Sequence, residues 1–131
     1  MLNQNDPATM RLDSQDMLQG VKILDLSRLL PGPASTWFLQ GMGAQVDRVE
    51  GKAGDLTRHL PPFVDGVGAY FSAISHGKRS IQIDLRAREA APLIKRMLYH
   101  YDVLVEGFKP GTLEAIGLNP SELRGSHPKL I

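Results

Sequence analysis

Four short segments read as strands along this chain: Val21–Leu26, Gln45–Glu50, Arg79–Leu85 and Val103–Val105. Each is bounded by a turn that carries glycine or proline, and stretches with helical spacing lie between them. This alternation limits the fold more than any other feature. A strand, a helix and a second strand within about thirty residues make a βαβ unit, whose crossover forces the two strands to be parallel. Repeated along the chain, it predicts an α/β fold, Rossmann-like in the broad sense, with a mainly parallel sheet and helices on both faces.

The element boundaries follow from local chemistry. Pro31-Gly32-Pro33 ends the first apolar run. Pro33 suits the first turn of a helix that passes through Trp37, Phe38 and Leu39 and stops near Gly41 or Gly43. Gly51 to Gly68 reads as a loop rich in Gly, Pro and Asp, and Tyr70, Phe71 and Ile74 as one or two helical turns. Ile81, Ile83 and Leu85 alternate with polar residues, as in a strand with one wet or ligand-facing side. Leu93, Ile94, Met97, Leu98 and Tyr101 recur at helical spacing. An interior proline costs about 3 kcal/mol, so this helix is expected to start near Glu89, with Pro92 in its first turn. Val103-Leu104-Val105 is continuous rather than alternating, as in a strand covered on both faces. Pro110–Ile116 and Pro120–Gly125 read as short helices, and Lys129–Ile131 as the start of another strand. Residues 1–17 are polar and aperiodic, the pattern of a flexible tail, which leaves 18–131 as the folded part.

At 131 residues the chain fits one domain with a core of its own. A formal net charge of +1, with the basic residues dispersed, argues against a nucleic-acid face. The apolar runs fall well short of the ~20 residues that span a bilayer, and the start of the chain lacks a basic then apolar leader. Without cysteine there is no disulfide or thiolate chemistry. The expected location is cytoplasmic.

Three turns carry candidate binding residues. Pro31-Gly32-Pro33-Ala34-Ser35 opens a helix, whose N-terminal amides and dipole favour anions; the alternative is a tight strand-to-helix turn with no ligand. In Gly77-Lys78-Arg79-Ser80, Lys78 offers a point charge and Arg79 a fork for phosphate oxygens, while Gly77 allows close backbone approach; the alternative is a solvated strand entrance. Gly107-Phe108-Lys109-Pro110-Gly111 follows a core strand at the carboxyl end, where open α/β sheets bind ligands; the alternative is a phenylalanine closing the sheet edge. Gly41-Met42-Gly43 follows a helix, so it is no dinucleotide fingerprint. His59, His76, His100 and His127 lack the spacing of a metal site. Asp25, Asp84 and Asp102 read as strand-boundary residues, and Asp55 with Arg58 as a pair that holds the loop between them.

Four phrases in fixed order resemble the amino-terminal part of the family III coenzyme A transferases, the CaiB/BaiF family, which includes 2-methylacyl-CoA racemases. They are Leu26–Ala34, Met42–Glu50, Gly77–Leu85 and Asp102–Gly111. The resemblance runs from about Gly20 to Ile131 and implies the amino-terminal part of that family's large domain. It implies that coenzyme A or acyl-CoA is the substrate, with no permanently bound cofactor. It also implies that Leu30 and Pro31 line the coenzyme, that Ser75, His76, Gly77 and Lys78 meet its nucleotide end, and that Gly107, Phe108 and Lys109 contact it. Gly107 stands where the family commonly has asparagine, Lys52 near the place of an adenine-stacking arginine, and Ala115 where some relatives have a second arginine. The catalytic aspartate of the transferases, and the His and Asp of the racemases, lie in the family beyond the strand starting near Leu130, so no catalytic residue is assigned. The expected function is the CoA-binding part of a transferase that moves CoA between an acyl-CoA and a free carboxylic acid. The full-length protein is expected to be a homodimer, and the 131-residue chain alone to be inactive. The alternatives are a racemase or a non-catalytic CoA-binding fragment.

Overall fold

In the computed structural model, residues 17–131 are described; the expected tail, apart from Met17, lies outside them. Four parallel strands form the sheet: β1 (Lys22–Asp25), β2 (Gln45–Glu50), β5 (Arg79–Gln82) and β6 (Val103–Val105), in the spatial order β5-β2-β1-β6. Lys22 pairs with Gln45, Asp47 with Arg79, and Ile23 with Val103. Helices α1 (Pro31–Gly41), α2 (Ala69–Ser75) and α3 (Ala90–Met97) provide the crossovers. Ile131 donates to the Asp102 carbonyl (3.0 Å) and accepts from Leu104 N–H (2.9 Å), the slanted pattern of a further parallel partner beside β6.

Alternation along the strands divides the core between the two faces. Ile23 and Val46, with Leu39 of α1, fill one side. Leu24, Leu26 and Val49 meet Ala90 and Ile94 of α3, together with Leu113, Leu118 and Leu123 from α4 (Thr112–Ala115) and the residues around α5 (Pro120–Ser126), on the other. Helices cover both faces, as a parallel sheet requires.

The sequence sets the helix starts. α1 has Pro31 at its first position, where the missing N–H costs nothing. A Cβ on Gly32 would run into the Ser27 side chain, so glycine alone lets α1 begin this close to the end of β1. Glu89 precedes α3, which puts Pro92 in the first turn as expected. The Asn119 side chain caps α5 through Ser121 N–H (2.8 Å) and Glu122 N–H (3.4 Å). Some expected elements come out shorter. Strand β5 stops at Gln82, because Ile83 N–H still reaches the Glu50 carbonyl (2.9 Å) but the chain then turns through Asp84–Ala87. Pro110 and Gly111 (φ +82°) form the turn before α4 rather than its first residues. The loop 51–68 contains a 3₁₀ turn (Leu56–His59) and a small hairpin, β3 (Phe63–Val64) with β4 (Val67–Gly68). Among the described residues no helix is long and apolar enough to cross a membrane.

Candidate functional site

The strands are parallel, so their carboxyl ends share one edge, and a cavity opens there. It has a volume of about 500 Å³ and is bounded by the loops that follow β1, β2 and β5. Arg28 and Leu29 come from the first loop, Gly51 to Leu56 from the second, and Asp84 to Arg86 from the third. Three cationic side chains, Arg28, Lys52 and Arg86, therefore border a space that also has the apolar walls Leu29, Leu56 and Leu85. Arg86 also borders a neighbouring cavity of about 390 Å³, with Arg88, Ala91 and Ala115. The Arg28 guanidinium lies 5.1 Å from the centre of the Phe108 ring, which links the β1 loop to the β6 loop.

Beneath the cavity, on the α1 and α2 face, lies a buried ionic network. Asp25 is 0% exposed and accepts from Ser27 N–H (2.9 Å), the Ser27 hydroxyl and the Thr36 hydroxyl (2.6 Å). The Lys78 ammonium lies 3.7 Å from Asp25 and donates to the Pro33 carbonyl (2.6 Å) and to Thr36 Oγ1 (2.7 Å). Burial pushes the Lys78 amine down to about 8, with Asp25 only partly offsetting it. Arg48, 1% exposed, pairs with Asp55 and donates to Ser75 Oγ (2.8 Å). Arg58 forks onto Glu50, with Nε to Oε2 and Nη2 to Oε1 both at 2.7 Å. Burial alone would raise the Glu50 carboxyl; the Arg58 fork, the Ser80 hydroxyl and the Asp55 amide outweigh it and hold the group at about 2.

Two sequence expectations are corrected here. Asp55 and Arg58 do not pair with each other: Asp55 turns inward to Arg48 and caps the 3₁₀ turn, while Arg58, over the Phe71 ring at 3.8 Å, reaches back to Glu50. Asp25 is no ordinary boundary residue but a buried acceptor for Ser27 and Thr36, with the Lys78 ammonium 3.7 Å away.

The candidate binding residues fall into two groups. Leu30, Pro31, Lys52, Gly107, Phe108 and Lys109 follow β1, β2 and β6, and so belong to the carboxyl edge. Leu30 is 52% exposed, Lys52 lines the large cavity, and Phe108 and Lys109 border a smaller one of about 160 Å³. Of the first three α1 residues only Gly32 has an N–H, because Pro31 and Pro33 have none, so the amide cradle there is thin. Ser75, His76, Gly77 and Lys78 precede β5 and lie toward its amino end. Ser75 and Lys78 are engaged in the interior, His76 is exposed, and Gly77 takes φ +76°. Arg28, Arg86 and Arg88, which the sequence pattern does not single out, border these cavities. A signal for Arg86 and Arg88 is present in the sequence, because ligands of open α/β sheets bind beyond the carboxyl ends of strands, which includes the residues after Leu85. Among the described residues, no three His, Asp or Glu side chains are grouped to hold a metal.

CoA-transferase family III matches residues 18–131. The chain is 40% identical over 119 residues to the succinyl-CoA:mesaconate CoA-transferase of Haloarcula hispanica, and 40% identical over 122 residues to the succinate–glutarate CoA-transferase of Agrobacterium fabrum. Each alignment takes in 87% of this chain and 30% of the relative. The crystal structure of a CaiB/BaiF family protein from Brucella suis superposes with a TM-score of 0.81 at 40% identity, covering 88% of this chain and 32% of that one. The chain thus spans about 30% of the length of the curated relatives it matches. With the matched residues taking in nearly all of the described residues, and with the same architecture in a solved relative, this chain belongs to CoA-transferase family III.

Proposed function

We propose that the whole protein moves coenzyme A between an acyl-CoA and a free carboxylic acid, and that residues 18–131 form part of its coenzyme site. The carrying observation is the carboxyl-edge cavity bordered by Arg28, Lys52 and Arg86. Coenzyme A has a diphosphate and a 3′-phosphate, and guanidinium groups bind such oxygens by paired, charge-assisted hydrogen bonds. Arg86, which faces two adjoining cavities, is the residue best placed to meet a phosphate. Leu29, Leu56 and the Phe108 ring offer apolar surface for the adenine or the pantetheine arm. Leu30, Pro31, Gly107 and Lys109 contribute from the flanking loops. In this reading Ser75, His76, Gly77 and Lys78 support the site from below. Acyl-CoA and carboxylate are substrates rather than resident cofactors, the whole protein is a cytoplasmic homodimer, and the 131-residue chain binds without turnover.

Calorimetric titration of the chain with CoA tests this. Binding should weaken as salt rises, since phosphate contacts are screened over ~10 Å at moderate ionic strength. Each charge-assisted hydrogen bond contributes ~1.5–3 kcal/mol, so Arg86→Ala should weaken binding about tenfold or more. An affinity indifferent to both salt and Arg86→Ala would overturn the placement. In the whole protein, failure to exchange label between an acyl-CoA and any free acid would overturn the activity.

A further inference from the structure

Leu29 has φ +62°, a conformation that L side chains other than Asn and Asp rarely take. Among the described residues, the other non-glycine residue with positive φ, Asp65 at +51°, sits beside Gly66 (+79°) in the β3–β4 hairpin, where two such residues are the normal turn. Leu29 has no comparable local reason. It stands at the mouth of the carboxyl-edge cavity, and its backbone N–H donates to Asp55 Oδ2 at 3.4 Å.

Asp55 is held firmly from behind. It is 5% exposed. Its Oδ2 also pairs with Arg48 Nη2, Oδ1 accepts from Thr57 N–H (2.8 Å) and the Thr57 hydroxyl, and its own N–H donates to Glu50 Oε2 (2.9 Å). Arg48 is in turn fixed on Ser75. The carboxylate therefore ties the β1 loop, through Leu29, to the β2 loop that carries Gly54 and Leu56. Residues of both loops line the cavity. We propose that Asp55 is a positioning residue, which holds Leu29 in the left-handed conformation and thereby sets the spacing of the two loops around the coenzyme. Its consequence for binding rests on the function proposed above; its effect on Leu29 does not. Strained backbone persists where the surroundings over-determine it, and here Asp55 supplies that constraint.

The test combines backbone NMR with CoA titration of the 131-residue chain. Scalar couplings at Leu29 should report positive φ in the parent and negative φ in Asp55→Asn. CoA affinity should fall at least five-fold in that variant, with circular dichroism unchanged. Glycine takes positive φ without steric cost, so Leu29→Gly relieves the demand on Asp55, and adding Asp55→Asn to it should cost less than two-fold. That coupling is something a general loss of stability would not produce. Asp55→Glu, which keeps the charge beside Arg48 but displaces it, should release Leu29 in the same way and serves if the asparagine variant does not fold. Positive φ retained at Leu29 in both Asp55 variants would overturn the proposal. So would an Asp55→Asn affinity loss that is the same in the parent as in the Leu29→Gly background. A parent that binds no CoA would overturn the proposed function, while the couplings at Leu29 would still decide the role of Asp55.

Discussion

Lys78 shows how burial redirects a residue whose type suits a phosphate. Its side chain is 1% exposed, and its ammonium joins Asp25 at the end of β1 to Pro33 and Thr36 in α1. The charge thus holds α1 to the sheet. Removing one partner of a buried pair leaves the other uncompensated and costs about 3–5 kcal/mol. Lys78→Ala should lower stability by an amount of that order, measured by urea unfolding. Any loss of CoA affinity should then follow from displacement of α1. Stability within about 1 kcal/mol of the parent, an ordinary surface effect, together with weakened CoA binding, would make Lys78 a ligand contact instead. Sequence showed the residue type but not its direction. A lysine in a Gly-Lys-Arg-Ser turn reads as solvated or ligand-facing, and only tertiary packing brings Asp25 beneath it.

At the scale of elements, the loop between β2 and α2 is closed by the Arg58–Glu50 fork, which returns the 3₁₀ turn to the end of β2. Glu50 is held at about 2, against 4.5 for an unperturbed group. In that window the unfolded chain binds more protons than the folded one, so stability rises with pH. The contribution of Glu50 is complete above about 4.5 and is lost as pH falls through about 2. Unfolding free energies measured across this range should show a shallower acid dependence in Glu50→Gln than in the parent. Identical slopes would mean that the fork does not stabilise the loop. Most elements were legible because period, caps and turn residues agree. Gln45–Glu50 and Val103–Val105 emerge with the boundaries their patterns predict, and α3 begins after Glu89. The partners of Asp55 and Arg58 were not legible, because pairing inside a loop depends on which strand end lies beneath it.

For the whole molecule, strand order places the site. The chain runs from β1 outward through β2 to β5, then crosses back to add β6 on the other side of β1. The reversal of direction falls between β1 and β6, where Arg28 meets the Phe108 ring. The cavity opens beside it, past the carboxyl ends of β1, β2 and β5, on the edge where such sheets usually bind ligands. The βαβ rhythm made this architecture readable, and with it three of the four carboxyl-edge loops, those after β1, β2 and β6. The residues after β5 were less legible, because only the pairing of β5 with β2 shows that Asp84–Arg86 reach the same edge as Gly51–Leu56. The most direct test is to add CoA to the isotopically labelled chain and follow amide shifts. The account predicts perturbations concentrated at Arg28–Leu30, Gly51–Leu56, Asp84–Arg86 and Gly107–Lys109. Perturbations centred on His76–Arg79 and the amino ends of the strands, with the carboxyl edge unmoved, would contradict it.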